Sequence, residues 1–425
     1  MQYALHWMKR SHIRPINLRT DRYSLHPIPT IGLIAEYKGE SLYYSGDTRF
    51  DPELGKELLE NGNIKEGRKF DLNDSIFRQE FSCILHEAGV PPIHTPIDAL
   101  AMLPPRVKQN LYIVHSNFGN VEEHGLQNAK EWSTIEIPIR MEREEEPERE
   151  LRETVNAILS IPLFYALDEA EEDVHKAMAK VAKREVVKEG TVVFEKDSKY
   201  DKLIIIEAGI VKEGTGIWTK QYTVGDHIGE LSLCSTDEHK TTLSTFTALT
   251  DVQLMVFEAT DLLPIIKDMD EVMEAIVELA LCRKKPSWDV LARNSVFERT
   301  SDMQRLDLQD MMTEKVIPEK AVIFTSGKAQ PFSFFILSGT VDLDFDPKDE
   351  TTFRGNNEAV KIKAELGVGA LVCDINNLLG RRPSYSDVVA LEETRILAIE
   401  NDDMHEFLKA NPGIIFSLMD AQYVS

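Results

Sequence analysis

Short apolar runs separated by polar loops make up the first third of the chain. Residues 30–37 and 41–45 read as short apolar segments on either side of a tight turn, and we predict two strands here. Further strands are predicted at residues 82–85 and 110–114, with a helix near residues 96–104 between them. Alternation of strand, helix and strand is typical of α/β layering, so the pattern predicts an α/β module.

Residues 141–154 contain almost only charged side chains, in the sequence MEREEEPERELRET. A run of this kind predicts a solvated linker or an exposed helix. It is the clearest domain boundary in the sequence, and we place a linker at residues 140–154. The preceding residues, 1–139, form the first predicted domain.

Beyond the linker, the hydrophobic pattern repeats at a spacing of about 130 residues, which indicates a repeated domain. The sequence LIIIEAGIV at 203–211 returns as SFFILSGTV at 333–341. We therefore predict two domains of the same fold, at residues 155–285 and 286–425.

Each repeat opens with a helical pattern and continues with many short strands punctuated by glycine. The closing helices are predicted at residues 261–281 and 402–419. Short strands that close on themselves leave no exposed sheet edge, so a small β-barrel of the jelly-roll kind is expected. The predicted fold class is therefore multidomain, with a partial α/β module followed by two β-barrels with flanking helices.

Acidic residues dominate the charge of the chain and limit the partners to expect. The 425 residues include 72 Asp and Glu against 48 Lys and Arg, which gives a formal net charge of -24. Such a surface repels phosphate backbones, and basic clusters are short, such as Arg283-Lys284-Lys285 and Arg381-Arg382. No nucleic-acid partner is therefore expected.

Cysteine spacing and the length of apolar runs bear on the cellular compartment. The four cysteines are Cys83, Cys234, Cys282 and Cys373. They show no paired spacing, which favours buried thiols in a reducing compartment over disulfides or a zinc knuckle. No apolar run approaches the roughly 18 residues of a membrane span, and the first residues do not form a signal peptide. We expect a cytoplasmic protein.

Several motifs in the two repeats resemble the cyclic nucleotide-binding domain of regulatory kinase subunits, gated channels and bacterial catabolite regulators. The matching stretches are IPLF at 161–164, EGTVVF at 189–194 and GDHIGEL at 225–231. In that family a short helix after the Gly-Glu-Leu motif offers backbone N–H groups to the cyclic phosphate, because its unsatisfied donors and its dipole favour anions. The resemblance implies that cAMP or cGMP is the ligand of the first repeat.

The first repeat keeps this motif as Gly229, Glu230 and Leu231. By resemblance, Glu230 accepts hydrogen bonds from the ribose hydroxyl, and an arginine further downstream pairs with the phosphate. Thr242 stands at that arginine position, with Lys240 close by as a weaker point charge. The predicted ligand-binding residues are Gly229, Glu230, Leu231 and Thr242.

The second repeat departs further from the family pattern. Ala370 replaces the ribose glutamate, and Ser384 stands at the arginine position, with Arg381 and Arg382 close upstream. The second repeat is therefore the weaker candidate for a ligand. Two degenerate barrels that act only as a scaffold are an alternative.

Four short polar motifs follow one another in the first domain. They are SGDT at 45–48, LHEA at 85–88, HTPID at 94–98 and IVHS at 113–116. Three of them end predicted strands, and HTPID opens the predicted helix. Thr95 is the predicted N-cap of that helix, and Asp98 three residues later completes a capping box. Polar ligands at strand ends and helix starts are expected to converge on one edge of the sheet.

These motifs resemble the C-terminal half of a metallo-β-lactamase-fold hydrolase, nearest to the ribonuclease Z and phosphodiesterase branch. The stretch HPIPTIG at 26–32 fits that branch too. By resemblance, Asp47 bridges two metal ions, zinc or manganese, and His115 ligates one of them. Glu87 and His94 form a carboxylate–histidine pair that manages a proton on the leaving group.

The first half of that hydrolase family, with its His-x-His-x-Asp-His metal loop, has no counterpart in this sequence. The metal site is therefore incomplete, and an upstream segment or a partner subunit is expected to complete it. The leading hypothesis is a cyclic nucleotide-binding regulatory protein attached to an incomplete metal-dependent hydrolase module. The alternatives are a metallo-β-lactamase-fold phosphodiesterase that is active once its missing half is present, and a scaffold.

Overall fold

The computed structural model describes most of the chain. The described residues are 12–19, 24–26, 31–37, 40–116, 121–130, 134–137, 146–167, 172–214, 220–234, 241–242, 244–298, 300–345, 362–380 and 383–420. The chain folds as two compact units. Unit 1 comprises residues 1–280 with 301–303, and unit 2 comprises residues 281–300 with 304–425.

A six-stranded sheet forms the centre of the N-terminal module of unit 1, and its strands lie side by side in chain order. The first three strands are antiparallel neighbours, whereas the third to the sixth run parallel. The strands are β1 (His12–Arg19), β2 (Ile31–Tyr37), β3 (Glu40–Tyr44), β4 (Cys83–Glu87), β5 (Leu111–Val114) and β6 (Gln127–Asn128).

Helices supply the crossover connections that parallel neighbours need. They are α1 (Pro52–Glu60), α2 (Glu66–Asn73), α3 (Ile97–Ala101) and α4 (Pro105–Lys108), followed by a 3₁₀ turn at Val121–His124. Asp51 caps α1, because its carboxylate accepts the N–H of Leu54, and Pro52 takes the first helical position, where no N–H is required. Buried apolar side chains of the sheet and helices form the core of the module, among them Tyr43 and Ile84.

The predicted strands of this module all form, with bounds shifted by one or two residues. Residues 30–37, 41–45, 82–85 and 110–114 correspond to β2, β3, β4 and β5. β1 was not predicted from the sequence. The helix predicted near residues 96–104 is shorter, and it ends before Pro104 and Pro105, which begin a separate short helix.

Barrel 1, at residues 183–258, is the second part of unit 1. Helix α5 (Glu146–Leu159) precedes it and runs across residue 154, where the linker was predicted to end. A 3₁₀ turn at Pro162–Phe164 and helix α6 (Glu172–Val181) then lead into the barrel. Two four-stranded antiparallel sheets, in the orders β12-β9-β14-β7 and β11-β10-β13-β8, form it.

The strands of barrel 1 are β7 (Lys183–Val187), β8 (Val192–Phe194), β9 (Lys202–Ala208), β10 (Val211–Glu213), β11 (Lys220–Tyr222), β12 (His227–Ile228), β13 (Phe246–Ala248) and β14 (Val252–Glu258). Apolar side chains from both sheets pack between them, including Phe194, Ile204 and Phe246. Two helices close the domain, α7 (Ala259–Ile266) and α8 (Asp270–Arg283).

Barrel 2, at residues 313–400 of unit 2, repeats this topology. Its sheets have the orders β20-β17-β22-β15 and β19-β18-β21-β16, so each strand is the counterpart of the strand eight places earlier. Its strands are β15 (Thr313–Ile317), β16 (Val322–Phe324), β17 (Phe332–Ser338), β18 (Val341–Phe345), β19 (Ile362–Leu366), β20 (Leu371–Val372), β21 (Ser386–Ala390) and β22 (Thr394–Glu400). The prediction that one fold occurs twice is confirmed.

Helices flank barrel 2 on both sides in the sequence. Before it come α9 (Pro286–Arg293) and α10 (Asp302–Asp310), and the first two residues of α10 are counted with unit 1. A short helix, α11 (Ile375–Leu378), lies between β20 and β21, and α12 (Asn401–Ala410) and α13 (Gly413–Asp420) follow the barrel. In unit 2, apolar side chains of α9 and α12 pack with those of β17 and β22 in one core, which includes Leu291, Phe335 and Phe407.

The closing helix of each repeat is broken, whereas the sequence predicted one continuous helix at 261–281 and another at 402–419. α7 and α8 are separated by residues 267–269, and α12 and α13 by residues 411–412. The second break has a clear cause, because Asn411 precedes a proline and has left the helical region, with φ −138° and ψ 56°.

All four cysteines are buried. Burial raises the pKa of the Cys83 thiol to about 11 and that of Cys373 to about 12. Among the described helices, none combines the length and the apolar character needed to cross a membrane.

Candidate functional site

The carboxyl ends of β3, β4 and β5 meet at one edge of the N-terminal sheet, because the three strands are parallel neighbours. Asp47 follows β3 by three residues, Glu87 ends β4, and His115 comes directly after β5. His94 contacts both Glu87 and His115. The structure therefore brings together the four residues predicted from the motifs of this domain, and we call this edge the rim.

Asp47 and His115 are bonded to each other across the rim. The His115 Nδ1 lies 2.8 Å from Asp47 Oδ1, and since a carboxylate only accepts, the imidazole donates. Both side chains reach solvent, with exposures of 43% for Asp47 and 62% for His115. His115 has a φ of 49°, an uncommon conformation for a residue with a side chain and one that clusters at functional sites.

Glu87 is buried at the same edge. Its Oε1 accepts the backbone N–H groups of Thr95 at 3.0 Å and of Thr48 at 3.4 Å. Its Oε2 lies 3.1 Å from His94 Nδ1, a distance typical of an ion pair although the two groups lack the alignment of a hydrogen bond. Burial raises the pKa of Glu87, while the amide donors and His94 act in the opposite direction. The pair can therefore hold a proton near the rim.

Gly89 makes room for His94. A Cβ atom at Gly89 would lie 2.6 Å from the Cβ of His94, closer than two such atoms approach. The His94 ring stands between those of His26 and His115, with centroid separations of 5.6 Å and 5.8 Å. Three imidazoles thus form a row along the rim.

His26 also lies at the rim, although no role was predicted for it. Its only sequence signal is its place in the stretch HPIPTIG. It is buried, and its backbone N–H donates to Ser24 Oγ at 3.0 Å. The same hydroxyl accepts the N–H of Arg49 at 2.7 Å, and the N–H of Leu25 donates to the Arg49 carbonyl. These bonds fix residues 24–26 to the loop that carries Asp47.

The capping box predicted at the start of α3 is wrong. Pro96 is the N-cap, and no side chain caps the helix. Instead, the Thr95 hydroxyl donates to the Thr48 carbonyl and accepts the N–H of Phe50, both at 3.0 Å. Thr95 therefore ties the loop after β4 to the loop after β3.

The described residues of the rim do not by themselves fit a complete metal centre. Asp47 and His115 are donor types that zinc and manganese accept, yet here they are bonded to each other. The part of the chain that the structure describes contains no group of three or more His, Cys, Asp or Glu side chains placed to hold an ion. Zinc sites use at least three protein ligands, so these two residues fall short.

In barrel 1, the Gly-Glu-Leu motif follows β12. Gly229 has a φ of 95°, and a Cβ atom there would lie 2.2 Å from the Lys202 carbonyl oxygen, so only glycine fits. Glu230 begins a 3₁₀ turn (Glu230–Leu233), and its side chain is only 3% exposed. Leu231 packs against the core of the barrel. The motif thus holds a carboxylate inside the barrel, directly after a close approach of two backbones.

Thr242 is fully buried, and its polar atoms are engaged by one loop of barrel 1. Its hydroxyl donates to the Glu195 carbonyl and lies 3.3 Å from the Ser198 hydroxyl. Its N–H donates to the Ser198 carbonyl at 2.9 Å, and its carbonyl accepts the N–H of Asp197 at 2.8 Å. Thr242 therefore holds the loop at 195–198 and brings no positive charge.

Barrel 2 has the same turn without the carboxylate. Gly369 has a φ of 90°, and Ala370 is buried in the barrel core. Ser384 is also fully buried, and its hydroxyl accepts a side-chain N–H of Gln330 at 2.7 Å. The backbone N–H of Gln330 donates in turn to Asn377 Oδ1 at 3.1 Å. Lys240, Arg381 and Arg382, the nearby cations noted in the sequence, lie outside the described residues.

The family model of the cyclic nucleotide-binding domain matches residues 184–269 and 314–411. These ranges contain nearly all of barrel 1 and barrel 2. The chain carries two cyclic nucleotide-binding domains in tandem. The prediction of two such domains, made from their repeated motifs, is confirmed.

Two relatives from Dictyostelium discoideum extend the comparison beyond these domains. The chain is 30% identical over 415 residues to a cGMP-dependent 3′,5′-cGMP phosphodiesterase A, with 95% of this chain and 44% of the relative covered. It is 27% identical over 270 residues to a cAMP/cGMP-dependent 3′,5′-cAMP/cGMP phosphodiesterase B, with 56% and 24% covered. The chain spans less than half the length of both relatives. The longer alignment nevertheless includes most of the N-terminal module.

Among solved structures, the regulatory domain of Toxoplasma gondii PKA with cAMP is 14% identical, with a TM-score of 0.28, and the match covers 66% of this chain and 99% of that chain. A similarity this low carries no conclusion about the ligand of the tandem domains.

Proposed function

We propose that this chain is a regulatory protein in which barrel 1 binds a ligand of the cyclic nucleotide class, with cAMP and cGMP as the first candidates. Barrel 2 then serves as scaffold. The observation that carries this proposal is the buried Glu230 at the start of its 3₁₀ turn, at the position where barrel 2 has Ala370.

Glu230 supplies the group that a ribose needs. A carboxylate accepts charge-assisted hydrogen bonds, which are about twice as strong as those between neutral groups. Because Glu230 is buried, a ribose hydroxyl that reaches it would meet an acceptor shielded from bulk water, where a hydrogen bond is electrostatically stronger. Gly229 supports this placement, because only a residue without Cβ allows the turn to approach the Lys202 carbonyl.

Titration calorimetry of the whole chain with cAMP and cGMP tests this site. Glu230→Ala is expected to weaken binding roughly tenfold or more, since a hydrogen bond to a charged group contributes about 1.5–3 kcal/mol. Glu230→Gln keeps the shape and serves as a second variant. Glu393→Ala removes an exposed carboxylate of barrel 2 and is the control. Binding unchanged in both Glu230 variants would contradict the proposal.

A second function, phosphodiester hydrolysis, is favoured by the convergence of Asp47, Glu87, His94 and His115 at the rim. Both relatives are named as phosphodiesterases, and the longer alignment includes most of this module. We propose that the rim is part of a metallo-β-lactamase-type hydrolase site, completed by residues other than those described here. Asp47 and His115 are the two ligands that it would contribute.

Within this hydrolase proposal, Glu87 and His94 handle a proton. The Glu87 carboxylate stands 3.1 Å from a ring nitrogen of His94, so the pair places two groups that can carry a proton at the rim. A protonated imidazole at a strand edge can donate to the oxygen of a leaving group, which is the task of a general acid.

Metal binding by the chain tests the contribution of the rim. In calorimetric titrations with zinc chloride, Asp47→Ala and His115→Ala are each expected to weaken binding roughly tenfold, as loss of one of a few ligands does. His124→Ala, which removes a partly exposed histidine outside the rim site, is the control. Equal zinc affinity in the wild type and both rim variants would contradict the proposal and favour a scaffold.

A further inference from the structure

We propose that residues 301–303 couple ligand binding in barrel 1 to the stability of helix α2 in the N-terminal module. We call these three residues the bridging segment. The inference rests on the proposed function of barrel 1 as a ligand site, and it gives that site a means of acting on the module that carries the rim. It is based on the contacts that the segment makes on its two sides.

The bridging segment is buried within unit 1. In the sequence it lies between residues of unit 2, yet Ser301, Asp302 and Met303 are counted with unit 1. All three residues are buried. Serine and aspartate are rarely buried unless other protein groups bond to them. The segment is therefore an integral part of unit 1.

Two of the three side chains contact α2. Ser301 Oγ donates to Asp71 Oδ2 at 3.4 Å. A Cβ atom at Gly67 would clash with Met303 Sδ, so the sulfur packs against the helix where glycine leaves room for it. Gly67 and Asp71 are four residues apart and thus lie on the same face of the helix. This face of α2 holds the bridging segment.

Asp302, the middle residue, contacts barrel 1. Its Oδ1 lies 3.5 Å from Lys220 Nζ, and its Oδ2 lies 3.8 Å from His227 Nδ1. None of the three side chains is more than 8% exposed. An ammonium and a carboxylate that face each other away from water attract more strongly than at the surface, and removal of one of them is costly. Asp302 therefore fixes the segment to β11 and β12.

His227 places the segment next to the candidate ligand site. It is the first of the two residues of β12, and Gly229 and Glu230 follow directly after that strand. A strand of two residues has few backbone hydrogen bonds, and such regions open readily. A ligand bound at Glu230 stabilises the closed form of the turn and of β12. It should thereby hold His227 and the bridging segment in place against α2.

Helix α2 extends this connection toward the rim. A Cβ atom at Gly55 of α1 would clash with the Asn73 side chain of α2, so the two helices are in close contact. Asp51 caps α1 and forms an ion pair with Arg49, two residues after Asp47. Packed contacts therefore run from α2 to the loop that carries Asp47.

Hydrogen exchange of the whole chain, followed by mass spectrometry, tests the coupling. Saturating cAMP or cGMP is expected to slow exchange at 227–234 in the wild type. It should also slow exchange at 66–73 in α2 by about fivefold or more, since coupling between two sites typically has at least that size. Protection of 227–234 alone would overturn the inference and leave barrel 1 as a ligand site. Absence of protection at both segments would overturn the inference together with the proposed function.

A second connection between α2 and the helices of barrel 1 makes variants necessary. Lys65, the N-cap of α2, forms an ion pair with Glu278 of α8 at 2.5 Å. Asp302→Asn separates the two connections, because it keeps the size of the side chain and removes the charge that faces Lys220.

In Asp302→Asn, the nucleotide is expected to protect 227–234 as before, while the protection of 66–73 is lost. Asp310→Asn makes the same charge change at the exposed end of α10 and should retain the protection of both segments. Full protection of 66–73 in Asp302→Asn would show that other contacts carry the coupling, and would overturn the inference.

Gly67→Ala tests the coupling from the N-terminal module. Its methyl group would displace Met303, and because coupling is reciprocal, the affinity of barrel 1 for the same nucleotide should fall by about fivefold or more. Titration calorimetry measures this affinity, and Lys69→Ala, on the same helix but partly exposed, is the control. Equal affinity in Gly67→Ala and the wild type would contradict the inference, and this measurement does not depend on the folding of Asp302→Asn.

Discussion

Single residues at the rim show what a local pattern can reveal and what it hides. The positions of Asp47, Glu87 and His115 could be inferred, because strand ends of one parallel sheet meet at one edge. The role of Thr95 could not, since a good N-cap residue next to a helix start looks the same whether it caps the helix or bonds elsewhere. Here it bonds to Thr48 and Phe50, almost 50 residues away. Hydrogen bonds of that range have no local sequence signal.

His86 gives a pH-dependent prediction. Its ring lies among Tyr43, Phe50 and Phe77, and burial lowers its pKa from 6.5 to about 4. As pH falls from about 6.5 to about 4, the unfolded chain takes up the proton and the folded chain does not, so stability is lost in that window. The shift corresponds to about 3 kcal/mol of the free energy of unfolding.

His86→Phe tests this assignment. Urea denaturation at intervals between about pH 7 and pH 4 should show a loss of stability about 3 kcal/mol smaller in the variant than in the wild type. His124→Ala, which changes a partly exposed histidine, should retain the wild-type dependence. Parallel curves for the wild type and His86→Phe would show that another group is responsible.

Among the secondary-structure elements, α2 is a helix with little signal in the sequence. Its residues, EGRKFDLN, show no clean apolar stripe, yet Arg68, Phe70 and Asp71 are all buried. Arg68 Nη1 lies 3.7 Å from Asp71 Oδ2, and neither side chain is exposed. A helix surrounded by protein on most sides carries no amphipathic signal, which explains why it was not predicted.

Arg68→Ala is expected to destabilise the N-terminal module by about 3–5 kcal/mol, because it leaves the buried Asp71 carboxylate without its charge partner. Hydrogen exchange of the amides at 66–73, followed by mass spectrometry, measures the local free energy of opening. Lys69→Ala, on the same helix but partly exposed, is the control. Exchange at the wild-type rate in Arg68→Ala would show that other groups balance Asp71.

The breaks within the two closing helical segments could not be predicted from the hydrophobic pattern either. Apolar periodicity continues through 261–281 and through 402–419, although each segment forms two helices. A break of two or three residues is short compared with the apolar period on either side of it, so the spacing of apolar residues alone does not reveal the break. Of the two breaks, only the one at residues 411–412 has a sequence signal, which is Pro412.

For the whole molecule, the repeat was predictable because the same apolar pattern occurs twice. The two barrels share their strand order, strand for strand. Their candidate sites nevertheless differ, since barrel 1 has a buried carboxylate and barrel 2 has a bond between Gln330 and Ser384. The topology follows from the shared pattern of apolar residues. The choice of ligand depends on a few polar residues that this pattern does not determine.

Ligand protection is therefore expected in one barrel only. With cAMP or cGMP at saturation, amide exchange should slow at 227–234 in barrel 1, because a bound ligand stabilises the state that holds it. Exchange at 369–378, the counterpart in barrel 2, should not change. Equal protection of the two segments, measured in the same sample, would show that barrel 2 is a ligand site as well.

The four buried cysteines have a practical consequence. Cys83 lies in the N-terminal sheet, Cys234 follows the 3₁₀ turn of barrel 1, and Cys282 and Cys373 belong to unit 2. Only a thiolate that reaches solvent reacts with an alkylating reagent, so labelling of a buried thiol has to wait for local opening. The native cysteines can therefore report local opening. The rate at which each cysteine is labelled measures how often the region around it opens.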